Sequence, residues 1–252
     1  MANWFRYRKD RPEAEARLFC LHHAGGSAGS YLGWADLAPP ELDLCPIQLP
    51  GRENRIAEPL LTRMDELAES IADALEPYLD LPFGFFGHSM GARLAYAVAV
   101  ELRDRGAPQP CGLVVSASRA PHHPSALPDM HGLSDEEFTR ELIRLGGLPA
   151  ELTRSDEMMQ MIRRVSRADF TALETYAPRN LARLDCAILA LGGDGDRMAN
   201  EVALQSWAEL TRSGFRQRRF AGGHFYLKEH QKAVITEAAR AVFDGMAAQQ
   251  GA

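Results

Sequence analysis

Residues 85–106 read FFGHSMGARLAYAVAVELRDRG. A short apolar run meets a long helix-forming run, and a single serine, Ser89, sits at the join between Gly87 and Gly91. Glycines make turns and serine often opens a helix, so this is at least a strand-to-helix connection. A serine held in G-x-S-x-G on such a turn is also pushed outward, with its hydroxyl free to attack a carbonyl. The rest of the chain decides between a cap and a nucleophile.

The alternation continues on both sides. The spacing predicts strands over Arg17–His22, Leu44–Leu49, Phe83–Gly87, Gly112–Ser116, Ala187–Leu191 and Arg216–Phe220. It predicts helices over Met64–Tyr78, Met90–Arg105, Glu201–Ser213 and Gln231–Ala248. Short apolar strands alternating with helices imply a parallel sheet covered on both faces, an α/β architecture. One domain over residues 1–252 accommodates the pattern. Between Ala120 and Asp185 no strand-like run occurs. Helices are expected instead over Ser134–Leu145, Ser155–Val165 and Arg167–Tyr176, the first opened by Ser134 and an acidic turn. Such an insertion, approximately residues 121–185, suits a lid over the carboxyl edge of the sheet. Met158, Met159 and Met161 read as its packing residues.

Composition narrows the partners. Hydrophobic residues make up 46% and charged residues 25% of the 252 residues, with 28 Lys and Arg against 34 Asp and Glu, a net charge of −6. That balance, with no basic stripe, argues against nucleic acid. No run is long and apolar enough for a membrane span, and the N-terminal stretch lacks a secretory pattern. The cysteines, Cys20, Cys45, Cys111 and Cys186, lie in or beside apolar runs without metal or disulfide spacing. They read as buried hydrophobes of a reducing cytoplasm. His22–His23 and His122–His123 are adjacent pairs, which point apart and chelate poorly, and no HExxH occurs. Neither metal nor cofactor is expected.

Ligands of a parallel sheet bind beyond its strand carboxyl ends. Four strand ends carry glycine-rich loops: His23-Ala24-Gly25-Gly26, His88-Ser89-Met90-Gly91, Gly192-Gly193-Asp194-Gly195-Asp196 and Gly222-Gly223-His224. Three of them supply, in order, a serine, an aspartate and a histidine. The order is that of the α/β-hydrolases, in which serine attacks, histidine moves its proton and the acid orients the imidazole. Ser89, Asp196 and His224 take those roles, and the backbone N–H groups of Ala24 and Met90 are the oxyanion donors. Asp194 competes with Asp196; the farther carboxylate better reaches back under His224. His88 reads as a packed residue of the turn.

The strings LFCLHHAGGSAGSY (18–31), LPGRENRIAEP (49–59), FFGHSMGA (85–92), LGGDGD (191–196) and GGHFYL (222–227) together resemble the type II thioesterases. These are stand-alone α/β-hydrolases that accompany polyketide synthases and nonribosomal peptide synthetases. The resemblance runs from Trp4 to the C-terminal helix. It implies hydrolysis of acyl groups from the phosphopantetheine arm of an acyl or peptidyl carrier protein, clearing aberrant or stalled chains. It also implies the triad Ser89, Asp196 and His224 and oxyanion amides at Ala24 and Met90, and it matches Asp169-Phe170 and Tyr176 to a lid pattern. The chain departs from the family at His22, where proline is usual: either the first loop is looser, or the imidazole fills the same space. Arg52 and Arg55 are expected to pair with Glu53 or Glu58 and shape their loop. Acyl transfer, carboxylester hydrolysis or a non-catalytic binding module would use the same scaffold; an intact triad argues against the last.

Overall fold

In a computed structural model of the chain, residues 4–123, 129–146, 148, 155–178 and 181–251 are described. Six strands form one sheet: β1 (Ala16–Leu21), β2 (Leu42–Pro46), β3 (Phe83–His88), β4 (Gly112–Ser116), β5 (Ala187–Gly193) and β6 (Phe215–Phe220). Their order is β2-β1-β3-β4-β5-β6, and every neighbouring pair is parallel. Strands β1 to β4 are buried throughout. Helices cover both faces, which is why these strands read as near-continuous apolar runs. On one face α2 (Met64–Leu75) and α3 (Met90–Asp104) pack on Phe19, Leu21, Phe85 and Val115. On the other, α1 (Trp34–Leu37) and α7 (Gln231–Gln250) pack on Leu18, Cys20, Phe86 and Val114. The edge strand β6 is polar between Phe215 and Phe220 and alternates half-buried and exposed positions instead, and its arginines blunt the open edge.

Most boundaries move by one or two residues, but three elements differ more, two of them for a clear reason. The second strand stops at Pro46 instead of Leu49, because the chain then leaves the sheet and Gln48 N–H donates to Trp4 O at 2.8 Å. The helix expected through Tyr78 ends at Leu75 and tightens into a 3₁₀ turn over Glu76–Tyr78, where Pro77 cannot donate. The helix expected over Glu201–Ser213 is α6 (Glu201–Gln205) followed by a 3₁₀ turn over Ser206–Leu210.

Between β4 and β5 lies the helical insertion; parts of the expected lid (124–128, 147, 149–154 and 179–180) lie outside the described residues. Helix α4 (Asp135–Arg144) opens as read, with a capping box in which Ser134 accepts from Glu137 N–H and Glu137 reaches back to Ser134 N–H. The two further helices expected are one, α5 (Asp156–Glu174), since neither glycine nor proline breaks the run at Ser166. Met130, Phe138, Leu142, Met159 and Phe170 form a small core of the insertion's own. Met158 and Met161 do not join it. They are 44% and 47% exposed, because the helical turn that buries Met159 carries them outward.

Strand β1 lies between β2 and β3, so the chain leaves its carboxyl end on one side and that of β3 on the other. This divergence opens a crevice, and Gly87 and Gly91 let the elements close around it. A Cβ at Gly91 would lie 2.1 Å from Leu21 O, and one at Gly87 would lie 2.1 Å from Gly91 O. Both obstacles are backbone and cannot swing away. Gly91→Ala is therefore expected to cost about 3 kcal/mol or more and to lower the unfolding midpoint by roughly 6–12 °C. Gly132→Ala, where nothing lies within 4 Å, serves as the control in the same calorimetric scan.

Candidate active site

The crevice holds Ser89. Its backbone is left-handed and strained, with φ 57° and ψ −116°, between the last residue of β3 and the first of α3. Two bonds hold it there: Ser89 N–H donates to Ser116 O at 2.8 Å, and Ser89 O accepts from Ala92 N–H at 3.1 Å. Met90 begins α3, so its N–H points from a helix N-terminus with no carbonyl one turn earlier. Beneath the turn, His88 is buried as expected. Its Nδ1 is 2.9 Å from Ser116 Oγ, which lies 2.7 Å from the Tyr226 hydroxyl.

The loops after β5 and β6 touch through Gly193, where a Cβ would come within 2.3 Å of Gly223 O. That contact brings Asp196 to His224, with Nδ1 donating to Oδ2 at 2.8 Å. Asp196 Oδ1 accepts from Met198 N–H at 2.8 Å and Ala199 N–H at 3.2 Å. Burial raises the Asp196 carboxyl, but the His224 hydrogen bond and charge and those two N–H groups outweigh it. The net result lies below the ordinary carboxylate range, so Asp196 stays ionised. Asp194 is excluded from this contact by geometry. Its side chain is 61% exposed and faces Arg219 Nε at 3.3 Å.

Ser89, Met90, Ala24 and His224 line one cavity of about 370 Å³, which the insertion walls with Phe170 and Leu173. All five site residues read from the sequence therefore meet in one place. Arg93 was not foreseen. It follows Ser89 by one helical turn and lines the same cavity, and burial, with the charge of Arg119, pulls its guanidinium down to about 10. The position four residues after the serine was the available signal. The arginine pairings divide. Arg55 meets Glu58 at 2.7 and 2.5 Å as read, whereas Arg52 turns from Glu53 to the buried Asp169 of α5. That partner is 117 positions away, beyond the reach of local sequence patterns.

Among the described residues no group of three or more His, Cys, Asp or Glu side chains could hold a metal, and no helix is long and apolar enough to cross a membrane.

A thioesterase domain model matches residues 16–241. The chain belongs to the thioesterase family. It is 38% identical over 232 residues to the gramicidin S biosynthesis protein GrsT of Aneurinibacillus migulanus, covering 92% of this chain and 91% of that protein. The RedJ thioesterase from the prodiginine biosynthetic pathway in Streptomyces coelicolor superposes with a TM-score of 0.86 at 37% identity, covering 92% of both chains. The type II thioesterase BorB from the borrelidin biosynthetic cluster superposes with a TM-score of 0.84 at 39% identity, covering 94% of this chain and 96% of that one. The fold is the α/β-hydrolase fold, and the enzyme is a serine hydrolase acting as a thioesterase.

In this thioesterase His22 fills the site at the end of β1. It is 1% exposed, its Nδ1 lies 2.9 Å from His23 O and its Nε2 has no partner. Burial first, then the Arg52 charge, pulls its pKa from 6.5 down to about 4. The unfolded chain therefore binds the extra proton first as pH falls, and stability rises with pH across this window. The contribution is complete above about pH 6.5 and lost by about pH 4, and it amounts to about 3 kcal/mol. His22→Gln is expected to flatten the fall in stability between pH 6.5 and 4 by that amount. Urea unfolding at pH 7, 5.5 and 4.5 checks it; an unchanged slope would show that His22 does not titrate with folding.

Proposed function

We propose that this thioesterase hydrolyses acyl groups from the phosphopantetheine arm of acyl or peptidyl carrier proteins, clearing aberrant or stalled chains in polyketide or nonribosomal peptide assembly in the cytoplasm. The observation that carries the chemistry is the Asp196–His224 hydrogen bond, whose imidazole lines the same cavity as Ser89. The relatives support the substrate class, since BorB is named a type II thioesterase and YbtT, which is also similar, a type II thioesterase from the yersiniabactin NRPS/PKS biosynthetic pathway.

Ser89 Oγ attacks the thioester carbonyl carbon as its proton passes to His224 Nε2. The ionised Asp196 keeps Nδ1–H pointed at itself and stabilises the imidazolium. The carbonyl oxygen becomes an oxyanion, which accepts from the N–H groups of Ala24 and Met90. Collapse breaks the carbon–sulfur bond. The pantetheine thiolate leaves with the proton of His224, and the acyl group stays on Ser89. Water then attacks this ester, His224 takes a proton again, and the carboxylic acid departs as Ser89 recovers its hydrogen.

Four measurements on acyl carrier proteins, followed by intact-protein mass spectrometry, test the assignment. Ser89→Ala is expected to abolish deacylation while leaving the fold intact. Asp196→Asn should lower kcat by about 10⁴-fold, and Asp194→Asn by no more than about twofold. The reverse order would transfer the acid role to Asp194. Ala24→Pro removes the proposed donor and should cost roughly 10²–10³ in kcat; a folded variant with normal kcat would exclude that amide.

The insertion acts in this reading as the cover of the acyl chamber. Acetyl, propionyl, malonyl and longer chains compared on the same carrier report its shape. Phe170→Trp fills the chamber wall and should shift the preference towards the shorter chains, while a small fluorophosphonate still labels Ser89. An unchanged chain-length profile would show that Phe170 does not bound the acyl group.

A further inference from the structure

A buried ion pair joins the insertion to the first strand-end loop. Arg52, in the loop after β2, meets Asp169 of α5 as two forks, Nη1 to Oδ2 at 2.6 Å and Nη2 to Oδ1 at 2.8 Å. Asp169 is 0% exposed and Arg52 is 5%. The pair also grips the turn that bears Ala24. Asp169 Oδ2 accepts the N–H of Gly25 at 2.8 Å, and Arg52 Nη1 donates to Gly26 O at 3.2 Å. Gly26 N–H closes that turn on His23 O at 3.0 Å. Ser166, one turn earlier on α5, presses on the same loop: a Cβ at Gly25 would come within 2.4 Å of its Oγ.

A buried ion pair of this kind is weak evidence for stability, since apolar residues of similar volume often do as well. What it provides is direction. Each peptide unit is planar, so holding Gly25 N–H fixes the plane between Ala24 and Gly25. Few soft torsions then separate that plane from the N–H of Ala24. Resting on the reading of that N–H as an oxyanion donor, we propose that Asp169 is a positioning residue and that the Arg52–Asp169 pair makes the seating of α5 a condition for a formed oxyanion site. If α5 lifts, Gly25 N–H loses its acceptor and Arg52 loses its counter-charge. Both losses occur where water is scarce, so the intermediate arrangement is disfavoured. The cover and the oxyanion loop then move as one unit. Phe170, the next residue along, walls the cavity. An acyl chain that seats badly against Phe170 thus disturbs the helical turn that carries Asp169, and it is penalised in kcat rather than in binding.

Asp169→Asn keeps the shape but sets an amide N–H₂ against one guanidinium donor. Arg52→Lys keeps the charge and loses the fork. Both are assayed on acetyl-, butyryl- and octanoyl-N-acetylcysteamine thioesters, with active sites counted by labelling with a small fluorophosphonate. The proposal expects one label per chain and KM within about threefold of the parent, with kcat per labelled site lower by about 10–100-fold in Asp169→Asn and about 3–10-fold in Arg52→Lys. Affinity for an alkyl boronic acid, which forms a tetrahedral adduct on Ser89, should fall by the same factor as kcat. Full kcat per labelled site in Asp169→Asn overturns the proposal. If that variant does not fold, full kcat in Arg52→Lys overturns it instead, as does a loss confined to KM. Ala24→Pro separates the two readings. If it loses kcat while Asp169→Asn does not, the tether alone fails; if it keeps kcat, the oxyanion assignment itself fails.

Discussion

The end of β1, the end of β3 and the start of α3 share a space in which glycines at 87 and 91 leave no room for a Cβ. Backbone meets backbone there, at a point where sterics permit little adjustment. Ser89 sits between those two glycines at φ 57°, and its strain is held by the surrounding core rather than relieved. The rest of the site is arranged around this fixed point. The strand order diverges beside it, so the loop after β1 and the turn after β3 face one crevice. A second close approach, at Gly193 against Gly223, brings in the loops of Asp196 and His224 from two strands further along the sheet.

Charge is then placed where the backbone has made a pocket. Asp196 is ionised because three donors outweigh its burial, and it holds His224 by one nitrogen, leaving the other for the cavity. His23 and His88 lie beside these groups as neutral imidazoles, their basicity lowered by burial. They fill space without competing for the proton. Arg93 adds a cation one turn from Ser89, in a cavity whose far walls mix apolar side chains such as Phe170 and Leu173 with Asp129 and Glu174. The insertion supplies those walls, and its own small core lets it keep a shape while resting on the sheet.

Local patterns carried most of the fold. The inner strands of the sheet were legible as apolar runs, because a sheet covered on both faces buries nearly every residue of its inner strands. Helix α4 was legible from its cap, since Ser134 and Glu137 satisfy each other within one turn. The errors had both distant and local causes. The strand after Leu42 ended early because Gln48 turned to Trp4. Two expected helices merged into α5. Met158 and Met161 were grouped with Met159 by composition, although helical rotation separates them.

By itself the sequence determined which residues were available for chemistry and that they would gather at one edge. Each of Ala24, Ser89, Met90, Asp196 and His224 lies in a glycine-rich stretch just after a strand, and parallel strands place all such stretches at the same end. The sequence favoured Asp196 over Asp194 by its place on the loop, and the tertiary structure supplies the contact that separates them. They stand two residues apart on one loop, and their difference lies in what Gly223 and Arg219 bring to each. Only the tertiary structure paired Arg52 with Asp169 rather than with Glu53. A charge selects its partner by distance and burial after folding, and a buried carboxylate 117 positions away is closer in space than an exposed one next door in the chain.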